Sequence, residues 1–162
     1  MFEVKITDSM YRLAWARSRD AQKMKKNDKG IAEYLGEIIA NEYIKGKIIS
    51  QHDKIAAPNS RLIEVKTKVC TSEPLPHNEC SIEAANMGRN CDYYAFVRVE
   101  YLNNTYTRGW YLGHIYRDAF YYNARKLSKG QKDGDNWFTV KSDCFNIPIS
   151  SLSLDFGVFN EQ

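Results

Sequence analysis

The chain has 162 residues, of which 43% are hydrophobic and 27% charged, and its net charge at pH 7 is +3. This length and composition are typical of one globular domain with its own core, so we expect residues 1–162 to form a single domain. No stretch is long and apolar enough for a membrane span, and the N-terminus has no signal-peptide core, so we expect no membrane partner. The positive charge is too small to establish a nucleic-acid partner by itself.

Two helices are predicted in the first third of the chain. Asp8 and Ser9 can cap a helix whose apolar residues continue at a 3.6-residue period as far as Met24. A second apolar stripe runs over residues 31–44 and is bounded by a glycine at each end. Glu37 lies beside the apolar edge of this second helix rather than in the middle of its polar face.

The most informative stretch is Leu62–Lys68. Apolar and charged residues alternate in it, which predicts a β-strand buried on one face. Period two places Glu64, Lys66 and Lys68 on the same face. A carboxylate and an ammonium therefore point the same way from one rigid strand.

The residues at 57–60 predict a turn that joins this strand to an earlier one over 47–53. If the hairpin is symmetric about this turn, Asp53 lies opposite Glu64, with β-carbons roughly 5 Å apart. Two carboxylates at that distance repel each other, and a divalent cation would neutralise them. The spacing therefore indicates a metal site with Lys66 beside it.

The remaining chain alternates strands and helices. We predict a short helix over 81–88, strands over 92–101 and 106–115 joined by a turn at Asn103 and Asn104, a helix over 117–127, and terminal strands over 137–140 and 145–149. This order is typical of an α/β (α+β) fold with a mixed central sheet.

Other chemistries find less support. Cys70, Cys80, Cys91 and Cys144 lack the spacing of common structural zinc sites, and reduced thiols are the expected state because nothing indicates secretion. Basic residues crowd the first thirty positions and again the segment 125–132. Either group could contact phosphates or form a solvated face.

Asp53, Glu64 and Lys66 together resemble the PD-(D/E)xK nuclease superfamily, whose pattern is an acidic residue ending one strand and Asp/Glu-x-Lys on the next. His52 stands where the name motif has proline, a position that is loose across the superfamily. Gly36 and Glu37 are similar to a Gly-Glu pair on the helix before the catalytic strands of many members.

Four downstream segments resemble short phage-encoded members of the same superfamily. They are Asn78–Ser81, Cys91–Tyr94, Gly109–Trp110 and Asp143–Ile147. With the Gly-Glu helix and the strand around Glu64, the resemblance covers most of residues 8–152.

The resemblance implies a restriction-endonuclease-like fold, a mixed central β-sheet flanked by helices, and a Mg²⁺-dependent nuclease acting on DNA, with Mn²⁺ as a substitute metal. Asp53, Glu64, Glu37 and the Val65 carbonyl would hold the metal, and Lys66 would position or deprotonate the attacking water. The resemblance also implies that the chain can form a homodimer. The expected location is the cytoplasm, that of the host cell if the protein is phage-encoded.

Two alternatives from other classes stay open. One is a protein of nuclease-like fold that binds nucleic acid without cutting it. The other is a structural or interaction protein in which Glu64 and Lys66 form a surface ion pair worth about 0–1 kcal/mol. The sequence also leaves open whether the substrate is duplex, branched, single-stranded or RNA.

Overall fold

The structure is a computed structural model, and it describes residues 1–23, 30–49, 54–132 and 139–160. The helices are α1 (Asp8–Lys23), α2 (Ile31–Ile44) and α3 (Arg117–Asn123). The strands are β1 (Phe2–Lys5), β2 (Lys47–Ile49), β3 (Lys54–Ala56), β4 (Leu62–Cys70), β5 (Glu79–Glu83), β6 (Tyr93–Leu102), β7 (Thr105–Tyr116), β8 (Arg125–Leu127) and β9 (Cys144–Pro148).

The strands form two sheets. The central sheet has the order β1-β7-β6-β4-β3-β2, and the second sheet has the order β5-β9-β8. Within the central sheet β4 and β6 run parallel, and the other neighbours are antiparallel. The predicted α/β (α+β) class with a mixed central sheet is therefore confirmed. Within the described ranges, no helix combines the length and the apolar character that crossing a membrane requires.

The long strands β6 and β7 are joined as a hairpin because of two asparagines. Asn103 and Asn104 have φ angles of 49° and 60°, and Leu102 pairs with Thr105 across the turn. Two successive residues with positive φ match the right-handed twist of the flanking strands, and asparagine tolerates this conformation better than most residues.

Each face of the central sheet has its own core. On the α2-side face, Ile63 and Val65 of β4 pack in one apolar cluster with Leu35 and Ile39 of α2. The helix lies so close that a β-carbon added to Gly36 would be 1.8 Å from the Thr67 hydroxyl. A glycine is therefore required at this helix–strand contact.

The other face of the central sheet, which we call the cleft-side face, packs against α3 and the second sheet. Tyr94 and Phe96 of β6 join one cluster with Phe120 of α3, Ile82 of β5 and Ile147 of β9. Because paired residues of β4 and β6 point to the same side, Glu64 and Lys66 belong to this face: they pair with Tyr94 and Phe96.

Two predicted elements differ from those observed. The segment predicted as a helix over 81–88 is strand β5 followed by a 3₁₀ turn, because Cys80 and Ile82 alternate into the core while β5 pairs with β9. The helix predicted over 117–127 ends at Asn123, and residues 125–127 pair with β9 instead. Strand β1 was not predicted. Most of the strand predicted over 137–140 lies outside the described residues.

Candidate functional site

Strand β4 presents the two central candidate residues as predicted. Glu64 and Lys66 point to the cleft-side face, whereas the side chain of Val65 lies between them in the core on the α2-side face. This alternation is a local property of an extended chain, so the strand needs no help from the rest of the fold to produce it.

The predicted register of the hairpin is wrong by one residue. Lys54, and not Asp53, pairs with Glu64, and the strand that pairs with β4 is Lys54–Ala56. The backbone N–H of Ala57 donates to the Arg61 carbonyl at 2.9 Å, and the N–H of Ser60 donates to the Ala57 carbonyl at 2.9 Å. Ser60 has a φ of 66°. This closes a three-residue loop, where the symmetric hairpin needed a two-residue turn. Asp53 and His52 lie outside the described residues.

Glu64 is the charged centre of the site. Its side chain is 0% exposed, and its Oε1 lies 2.5 Å from Lys66 Nζ and 3.1 Å from Arg89 Nη1. Its Oε2 is equally buried and has no hydrogen-bond partner among the described residues. Among the described residues, the charged neighbours of Glu64 are thus the cations of Lys66 and Arg89.

This geometry contradicts the surface ion pair between Glu64 and Lys66 that the structural or interaction alternative assumed. A surface ion pair is solvated on both sides, but here the carboxylate is fully buried and the Lys66 side chain is only 20% exposed. A buried carboxylate that loses its cations is strongly destabilising, so the pair is held far more firmly than a surface pair.

Arg89 was not predicted as a site residue. It lies in the loop between β5 and β6, and its side chain is 43% exposed, so its guanidinium reaches Glu64 from the solvent side. A single arginine in a loop has no periodicity that would connect it with a strand 25 residues earlier. No signal in the sequence could have found it.

The groups beside Glu64 are shielded from solvent. Burial, and next the charge of Glu64, raise the pKa of Cys91 to about 11. Burial also raises the pKa of Tyr94, whose hydroxyl is hydrogen-bonded to that of Tyr121 at 2.9 Å. In such surroundings charge interactions are strong, which explains why two cations converge on a single carboxylate oxygen.

Glu37 lies elsewhere. Helix α2 packs on the α2-side face of β4, and Glu37 is 2% exposed, with Oε2 3.8 Å from Arg17 Nη1 of α1. The structure therefore does not bring Glu37 to the face that carries Glu64 and Lys66. Within the described part of the chain, no three His, Cys, Asp or Glu side chains are grouped so that they could hold a metal ion.

Lys66 also lines a cleft between the two sheets, with a volume of about 390 Å³. We call it the inter-sheet cleft. Its walls include Lys66 and Lys68 of β4, Phe96 and Arg98 of β6, Ser81 of β5 and Asn146 of β9. The Glu64 site therefore opens along β4 into a larger space.

Comparisons with known proteins add no assignment: no family model matches the chain, and no curated protein does.

Proposed function

We propose that this protein is a metal-dependent nuclease that hydrolyses phosphodiester bonds of DNA at the cleft-side face of β4. One observation carries the proposal. A fully buried carboxylate, Glu64, keeps one oxygen without a hydrogen-bond partner among the described residues, and an ammonium lies two residues along the same strand. A buried carboxylate oxygen left without a donor is costly for folding, which favours a functional reason for it.

The oxygen chemistry fits a hard divalent cation. Glu64 Oε2 is a ligand of the type that Mg²⁺ and Mn²⁺ prefer, and Mg²⁺ needs only one or two carboxylates besides water and phosphate. Asp53, which precedes Lys54 in the chain, is the second carboxylate that the resemblance implies, together with the Val65 carbonyl. When bound, the metal would supply a water of lowered pKa as the nucleophile.

Lys66 and Arg89 are the groups that would receive the phosphate. Both side chains keep part of their surface exposed while they contact Glu64 Oε1. A substrate phosphate that approaches from the solvent side would share these two cations with the carboxylate. Cations placed where charge develops on the phosphorus oxygens stabilise the transition state.

Glu37 is not included in this site. It lies beside Arg17 of α1, and its helix lies on the α2-side face. We assign to Glu37 a role at the contact between α1 and α2, a revision of the role that the resemblance implied.

The test is a cleavage assay on labelled duplex, branched and single-stranded DNA with Mg²⁺, Mn²⁺ or EDTA. We expect cleavage with the metals alone and a loss of at least about 100-fold in rate for Glu64→Gln. Glu42→Gln is the matched control, because Glu42 is an exposed carboxylate on α2. Absence of cleavage of every substrate by the wild type would contradict the enzyme, and full activity of Glu64→Gln would contradict the site.

A non-catalytic nucleic-acid-binding protein is the second candidate. It is favoured by the two cations that already satisfy Glu64 Oε1 and by the lack of an acidic group of three within the ranges described. Calorimetry with Mn²⁺ separates the two functions. A nuclease binds the metal and loses that binding in Glu64→Gln, whereas a binding module binds DNA equally well in EDTA.

A further inference from the structure

The inter-sheet cleft is larger than the hydrolysis of one phosphate requires. It lies between the cleft-side face of the central sheet and the strands β5 and β9, and its volume is about 390 Å³. Pockets of roughly 300–1,000 Å³ typically hold one small-molecule ligand. Lys66 belongs to both the Glu64 site and the cleft, so a ligand in the cleft would be continuous with a phosphate at Lys66.

The lining of the cleft combines apolar and cationic groups. Phe96, Leu112 and Val140 contribute buried apolar surface. Lys68 and Lys141 contribute exposed ammonium groups. A ligand that matches both has a flat apolar part and an anionic part.

The two exposed lysines are available to such a ligand. Neither Lys68 nor Lys141 makes an ion pair with any residue in the described ranges. Arg98, in contrast, is engaged: its guanidinium donates to Asn78 Oδ1 at 3.3 Å and to the Glu79 carbonyl at 3.2 Å. Arg98 therefore joins β6 to the start of β5, and the lysines carry the free positive charge.

The carboxylates of the cleft do not cancel that charge. Glu79 accepts from Arg125 Nη2 at 2.8 Å and from the Asn146 amide at 2.8 Å, so its charge is already compensated. Glu83 is exposed at the end of β5. The lining thus favours an anion at Lys68 and Lys141.

We infer that the inter-sheet cleft binds one unpaired nucleotide of the substrate, its base against the apolar part of the lining and its phosphate at Lys68 and Lys141. This inference rests on the proposed function and narrows its substrate class to single-stranded or frayed DNA. A base inside an intact duplex is stacked and paired, and it cannot enter such a cleft without leaving the stack.

The experiment measures binding apart from cutting. Fluorescence anisotropy in Ca²⁺ compares a short labelled oligothymidylate with the blunt duplex that it forms with its complement. We expect the wild type to bind the single strand about tenfold more tightly than the duplex, since only the single strand offers a free base.

Two cleft variants and one control locate the binding. Lys68→Ala combined with Lys141→Ala should weaken single-strand binding about tenfold and reduce the slope of log affinity against log salt by roughly 0.7 for each lost phosphate contact. Ser142→Trp should fill the cleft and abolish the preference for the single strand. Lys45→Gln is the control, because Lys45 is an exposed lysine at the end of α2, on the α2-side face of the central sheet and away from the cleft.

The outcomes separate the inference from the proposed function. Equal affinity for single strand and duplex, or unchanged binding by both cleft variants that remain folded in a thermal melt, overturns the inference. If the wild type binds the single strand and the cleft variants do not, the inference stands even when Mg²⁺ produces no cleavage. Only the proposed nuclease activity is then contradicted. If duplex DNA is cut and Ser142→Trp cuts it equally well, the nuclease stands and the cleft inference is overturned.

Discussion

The two faces of β4 differ in what they bury. On the α2-side face, Ile63 and Val65 are packed among apolar side chains, and Gly36 lets α2 approach until it contacts Thr67. On the cleft-side face, Glu64 is as fully buried as Ile63, yet its partners are the cations of Lys66 and Arg89. Alternate residues of one strand thus serve two purposes.

Depth of burial therefore does not distinguish a core residue of this strand from a candidate site residue. Ile63 and Glu64 are both 0% exposed. The two residues differ in hydrogen bonding. The side chain of Ile63 is apolar and needs no hydrogen bond, whereas one oxygen of Glu64 lacks a hydrogen-bond partner within the described residues. Changes on the α2-side face should therefore alter stability, whereas changes on the cleft-side face should alter activity in addition to any loss of stability.

The largest effect should come from Lys66→Ala. In the proposed nuclease its ammonium would stabilise the charge that develops on the phosphate, and losing one such group lowers the rate by roughly 10²–10³-fold. DNA binding in Ca²⁺ should change little, because Arg89 remains on Glu64 Oε1 and other cations still contact phosphates. Cleavage rates in Mg²⁺ and gel-shift titrations in Ca²⁺ check both parts.

Lys45→Gln, a change of an exposed lysine at the end of α2 on the other face of the central sheet, serves as the control for Lys66→Ala and should cut at the wild-type rate. If Lys66→Ala loses binding and rate in equal proportion, Lys66 is a phosphate-binding cation without a special role in the transition state, and the two faces differ less than we propose.

Gly36→Ala should destabilise the fold by about 1–3 kcal/mol, because the new methyl group would collide with Thr67 across the contact between α2 and β4. Gly88→Ala is the matched control, since a β-carbon there would meet nothing within 4 Å. Urea unfolding of the two variants measures the difference. A Gly36→Ala variant as stable as Gly88→Ala would show that the α2-side face is more loosely packed than the structure indicates.

A smaller effect is expected in the pH dependence of the unfolding free energy. It should come from His114, a buried polar group beside the apolar core of the α2-side face. Its Nε2 lies 3.0 Å from the Asp155 carbonyl, which can only accept, so Nε2 carries the proton and Nδ1 accepts from the Tyr111 hydroxyl at 2.9 Å. Burial lowers the pKa of His114, although the hydrogen bond to Asp155 and the charge of Asp155 oppose this.

Because the folded protein favours the neutral imidazole, the stabilising contribution of His114 is present above the ordinary pKa of about 6.5 and is lost as pH falls below it. For one titrating proton, the unfolding free energy changes by at most about 1.4 kcal/mol per pH unit. Unfolding free energies of wild type and His114→Asn between about pH 8 and pH 5 measure it. His77→Asn, a change of an exposed histidine, should follow the wild type. Parallel curves for wild type and His114→Asn would contradict the assignment.

The smallest effect concerns the thiols. All four cysteines are free, and Cys80, Cys91 and Cys144 are buried whereas Cys70 is half-buried. Burial raises the pKa of Cys80 to about 12, which suppresses the reactive thiolate. A disulfide-exchange reagent should therefore count four thiols in denatured protein and react first with Cys70 in native protein. Finding two thiols, or stoichiometric zinc, would contradict the expected reduced state.

The sequence by itself determined the features that depend on local geometry. The apolar stripe between Gly30 and Gly46 predicted α2 with its observed bounds, 31–44. Period two placed Glu64 and Lys66 on one face of β4, and Asn103 and Asn104 marked the turn between β6 and β7. In each case the backbone angles of neighbouring residues decide the outcome, so a pattern within a few residues is sufficient.

The tertiary structure alone decided which residues meet. A three-residue loop with a positive φ at Ser60 sets the hairpin register so that Lys54 pairs with Glu64. Arg89 reached Glu64 from a distant loop, and packing of α2 separated Glu37 from that site. Strands β5 and β8 exist because both pair with β9. Such contacts depend on loop conformation and on packing between segments far apart in the chain, and neither leaves a periodic trace in the sequence.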